Sequence, residues 1–154
     1  MPTKPKIKIQ DCPQLRQQLE QLSEQTSQLI LAQWSLKLAA HILERIGFDY
    51  QNNAVIQRAF AANQAWQQGN ARVHDVRQAG FQVHRLAKSC EDTVVQSALR
   101  VAGQAVGTGH MREHAMVASD YAVKVMNLKY PEDMRVVAEE REWQILNLKK
   151  LSEG

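Results

Sequence analysis

From Pro13 to about Lys149 the apolar residues recur every three or four positions, and nowhere in that body do they alternate with polar ones. A period near 3.6 belongs to helices with one buried face, whereas strands need a period of two. No Asn-Gly or Asp-Gly pair marks a hairpin. The chain therefore reads as all-α, a single-domain bundle of six to seven helices with short connections. Its 154 residues suffice to bury a core without disulfide or metal staples.

Caps and stop signals divide the body. Pro13 suits the first turn of a helix that carries Leu15, Leu19 and Leu22 on one face. Ser27 can cap a second helix that ends at Ile46, before Gly47. Its polar residues Gln33, Lys37, His41 and Glu44 fall on one narrow stripe, so it is expected to be surrounded by other helices. Asn52 or Asn53 caps a third helix that closes at Gly69, and a fourth runs from about Ala71 to Cys90. Asp92 caps a fifth that ends near Gly107–Gly109, a sixth is expected over His110–Asn127, and Pro131 is expected to open a seventh. Trp34, Trp66 and Trp143 read as core anchors, and Met111, Met116 and Met126 as packing.

Residues 1–11 read as a basic, flexible arm ahead of one helical domain over 12–154; Lys/Ile alternation at 6–9 could form a strand but has nothing to pair with. The arm accounts for the formal charge of +3: outside Lys4, Lys6 and Lys8, 16 basic residues balance 16 acidic ones. A neutral body argues against a nucleic-acid module, because each neutralised phosphate needs its own cation. Cys12 and Cys90 stand alone and read as free thiols in a reducing compartment. The N-terminus has no apolar run of the signal-peptide kind, and Leu29–Leu43 is too short and polar to span a membrane. A cytoplasmic protein with no membrane partner is expected.

Small residues gather in the fifth and sixth helices, among them Ala98, Ala102, Gly103, Gly107 and Ala118. A glycine inside a helix costs about 1 kcal/mol against alanine, so Gly103 calls for a steric reason. The close approach of a neighbouring backbone is the expected one.

Three blocks resemble a known family. Trp34 with Ala39-Ala40 and Leu43, then Arg58-Ala59-Phe60-Ala61-Ala62 leading to Ala65-Trp66 and Gly69, resemble its first half. The run from Ala98 through Gly103, Gly107 and Gly109 to His110-Met111 and His114-Ala115, then Tyr121-Ala122 and Lys124, resembles its most characteristic stretch. Glu140-Arg141, Trp143 and Gln144 resemble its last helix. The family is the all-α immunity proteins of bacterial polymorphic toxin systems, the group numbered five, and the likeness covers about residues 27–148. The first 26 residues have no clear counterpart, and Leu148-Lys149-Lys150 stands where a Leu-Pro ending would be expected. The resemblance implies a non-catalytic cytoplasmic protein that binds and silences a cognate toxin and needs no cofactor. It supplies no binding residues.

Other chemistry is weighed residue by residue. His110-Met111-Arg112-Glu113-His114 has the form H-x-x-E-H. On a helix it would aim His110 and His114 at one metal ion, with Glu113 as general base of a hydrolase. The resemblance includes both histidines but not Glu113, and an inward-facing structural pair is the preferred reading. On the fourth helix His74, Arg77, Phe81, His84 and Lys88 share a stripe, and residues 71–90 carry a net +3. That stripe is a candidate partner surface, or the core of a weak nucleic-acid module. Glu139 and Glu140 lie in an acidic stretch over 131–142, net −3, that could meet a basic toxin. No GxSxG, phosphate loop or activated cysteine is present. A homodimer is compatible with the sequence, but no residue demonstrates it.

Overall fold

The computed structural model describes residues 3–154. Seven helices follow in order: α1 (Pro13–Glu24), α2 (Gln28–Arg45), α3 (Ala54–Gln67), α4 (Val73–Lys88), α5 (Thr93–Gly107), α6 (His114–Lys129) and α7 (Met134–Glu153). No strand forms among the described residues, so the Lys/Ile alternation at 6–9 stays irregular.

Local chemistry sets most boundaries. Ser27 Oγ accepts the Ile30 N–H, Asn53 Oδ1 accepts that of Ile56, and Asp92 Oδ1 accepts those of Val94 and Val95. Each satisfies amides that a helix start leaves open. Gly47 and Gly69, at φ +74° and +78°, take the left-handed turn that ends α2 and α3.

Two starts differ from expectation. The α6 helix begins at His114, not at His110. The amides of His110 and Met111 both bond Gly107 O, forming tight turns after α5, and Arg112 Nη2 reaches away to the carbonyls of Ser23 and Thr26 at the end of α1. Those long-range bonds hold residues 110–113 out of the helix. The α7 helix begins at Met134, not Pro131, because Glu132 adopts φ +61° and Asp133 becomes the cap, accepting from Val136 N–H.

Helices α2 and α5 form the centre: α5 packs on α2, α3, α4 and α6, while α2 also meets α6 and α7. The core includes Trp34, Leu38, Ile42, Leu99, Val125 and Leu148, each fully buried. Trp34 is an anchor as expected, its indole N–H donating to Gln144 O at 3.0 Å. Trp66 and Trp143 pack at the margin of the core. Met126 is buried, whereas Met111 is 47% exposed in the turn before α6 and does not serve as packing.

A buried polar network crosses this apolar frame. Arg141 is 0% exposed, and its guanidinium donates to Asp11, Asp120, Ser119 Oγ and Gln144 Oε1 at 2.7–3.0 Å. Asp120 also takes a two-pronged bond from Arg16, both at 2.9 Å. The matched planar forks of arginine and carboxylate suit such burial. The network reaches the N-terminal segment. Glu20 accepts from the amide and hydroxyl of Thr3, Arg16 donates to Thr3 O, and Gln10 exchanges bonds with Asn127. Residues 3–11 thus lie along α1 and α6.

Candidate functional site

The stretch that most resembles the immunity family builds the packed seam where α4 and α6 meet α5. Glycines of α5 line that seam. A Cβ on Gly80 would stand 3.5 Å from Gly103 O, so the two backbones do approach closely there. The steric reason for Gly103 itself is a side chain: a Cβ at that position would meet three ring atoms of His84 at 2.6–2.8 Å. One turn later a Cβ on Gly107 would meet the His114 ring at 3.1–3.5 Å. Two glycines of α5 therefore seat two imidazoles that come from different elements.

Polar neighbours orient both rings. Arg100 Nη1 donates to His84 Nδ1 at 2.9 Å, and since arginine only donates, the His84 ring is neutral with its proton on Nε2. Burial first, then the charges of Arg100 and His114, push its pKa down to about 4. His114 Nδ1 lies 2.6 Å from Gln104 Oε1, which gives Nδ1 the proton. Its pKa is also lowered, first by burial and then by His110 and Lys6. The His110 ring lies 5.9 Å from that of His114, centroid to centroid. An imidazole with a pKa near 4 accepts protons poorly at neutral pH, far from the range that serves general-base catalysis.

The H-x-x-E-H reading is corrected in its geometry. His110 lies in a turn while His114 opens α6, so the helical i, i+4 placement of two ligands does not exist. Glu113 is exposed beside them. Among the described residues no three His, Cys, Asp or Glu side chains are grouped to hold a metal ion.

The stripe on α4 is realised. Val76, Gly80, Val83 and Ala87 face the core, and Arg77, Phe81 and Lys88 are exposed on the flank that His84 turns toward α5. Phe81 is 48% exposed, with the Arg77 guanidinium 5.3 Å from its ring centre. The acidic candidates separate. Glu139 is exposed. Glu140 is only 2% exposed and bonds His41 Nε2 and Gln144 Nε2, each at 2.8 Å. It is an interior residue, not part of an acidic patch, because its α7 face is that of Val137, Gln144 and Leu148.

Sequence reasoning did not find the Arg16–Asp120–Arg141 network or the partners Arg100 and Gln104. A signal was available for one member: Asp120 is the acid between the inward-facing Ala118 and Ala122.

Fold and seam together define an all-helical protein in which His84 and His114 are seated as packing elements on α5, beside an exposed, cationic flank of α4. The chain belongs to the family described as "Imm-5 like putative immunity protein", whose model matches residues 21–151. No curated protein and no solved structure matches it. No helix among the described residues is long and apolar enough to cross a membrane.

Proposed function

We propose that the chain is the immunity partner of a bacterial polymorphic toxin, acting in the cytoplasm by binding that toxin and covering a surface it needs, with no chemistry of its own. Membership of the immunity family over residues 21–151 is the observation that carries this reading. The seam on α5 is consistent with it. Its two oriented imidazoles have lowered pKa values, and they bond an arginine and a glutamine. The affinity would come from a few anchor side chains.

Co-expression with the toxin module encoded beside this chain's gene tests the reading. Cells should be rescued from growth arrest, and the two proteins should purify together. Unprotected cells and separate proteins would end it.

A further inference from the structure

The toxin-binding reading leaves open which surface does the work, and α4 is where the observations converge. Arg77, Phe81 and Lys88 stand exposed on one flank of the helix. Phe81, at 48% exposure, is among the largest apolar side chains left to solvent, and the cation at Arg77 lies over it. Such an aromatic–arginine pair is typical of an interface anchor. Neither Arg77 nor Lys88 takes part in any of the ion pairs formed among the described residues. The one acid of α4, Asp75, lies off this flank and is already held by Arg72. Half-buried Arg100 of α5 adds a further cation beside the stripe, bonded to His84 on the same face of α4.

We propose that this flank of α4 is the docking face for the toxin, with Phe81 as the anchor and Arg77, Lys88 and Arg100 receiving carboxylates of an acidic toxin surface. The inference rests on the toxin-binding reading above. A protein partner fits better than a nucleic acid. The cations are few and broken by an apolar side chain, while a phosphate backbone is tracked by one cation per phosphate. Complementary charge would also speed association and make it depend on salt.

The test uses the full chain and the toxin module encoded beside its gene, with binding measured at low and high salt. Arg77, Phe81 and Lys88 are all exposed, so substitutions there leave the fold intact, which circular dichroism verifies. Phe81→Ala should weaken the complex about tenfold or more. The double variant Arg77→Glu with Lys88→Glu should weaken it about a hundredfold at low salt and flatten its salt dependence. Lys149→Glu with Lys150→Glu, on the exposed end of α7, should change nothing comparable. Equal binding by all variants overturns this surface while toxin binding stands. A wild-type chain that forms no complex removes the toxin reading and this surface with it. A wild type that instead holds short single-stranded RNA, lost on charge reversal, overturns the proposal in favour of a nucleic-acid face.

Discussion

Gly103→Ala is the sharpest probe of how α4 packs on α5, because two opposing effects act on one methyl group. In a bare helix, alanine would stabilise by about 1 kcal/mol. Here the new Cβ would lie 2.6–2.8 Å from three ring atoms of His84, so the ring must leave its seat. Overpacking of this kind costs about 1–3 kcal/mol. The displaced ring also loses its bond from Arg100 at 2.9 Å, and a hydrogen bond to a charged group contributes about 1.5–3 kcal/mol at full strength. Part of the strain relaxes as the imidazole swings toward solvent, so the single variant should lose a net 1–2 kcal/mol, or about 0.5–1 M in urea midpoint. In a His84→Ala background the obstacle is gone, and Gly103→Ala should then stabilise by about 1 kcal/mol. The double-mutant cycle thus predicts a coupling of about 2–3 kcal/mol. Stabilisation of similar size in both backgrounds would refute the seating of His84 on Gly103.

Other consequences follow from the same structure. His84 has a folded pKa of about 4 against about 6.5 unfolded. As pH falls below 6.5 the unfolded chain takes the proton first, so stability declines between pH 6.5 and 4. For this half-buried ring the loss is about 1–2 kcal/mol after solvent screening, and urea titrations at pH 7 and 5 should differ by less in His84→Asn. Asp120→Ala leaves the guanidiniums of Arg16 and Arg141 facing each other in the interior and should cost about 3–5 kcal/mol, read as a large drop in thermal midpoint; a drop of a degree or two would remove the network from the stability argument. Trp34→Phe deletes the indole donor to Gln144 O, a carbonyl that keeps its place in the α7 ladder, and should cost about 0.5–1.5 kcal/mol for the lost bond plus the packing of the missing ring, by denaturant unfolding.

Local signals were enough to read the helices. Ser27 and Asp92 cap as expected, Asn53 is the one of the two candidate asparagines that caps α3, and Gly47 and Gly69 stop α2 and α3, because these interactions act over a few residues. The start of α6 is not legible locally for the opposite reason: the residues that hold 110–113 in turns include Ser23 and Thr26, more than 80 positions away. The same distance hid the polar interior. Asp120 is 104 positions from Arg16 and 21 from Arg141, and no spacing rule joins them. Glu140 could have been recognised as inward, since it falls on the helical face of Val137 and Gln144, but its place in an acidic run masked that. Of the seam on α5, the glycines and the two histidines His84 and His114 are visible in the sequence. That Gly103 seats His84 and Gly107 seats His114 depends on how α4 and α6 pack on α5.

If this chain silences a toxin by occupying it, purified chain titrated into a fixed amount of the toxin module should lower residual toxin activity in a straight line to zero at a fixed molar ratio, with both proteins recovered intact in one complex. Loss of toxin activity at a small fraction of an equivalent, with the toxin altered and the chain left free, would contradict it.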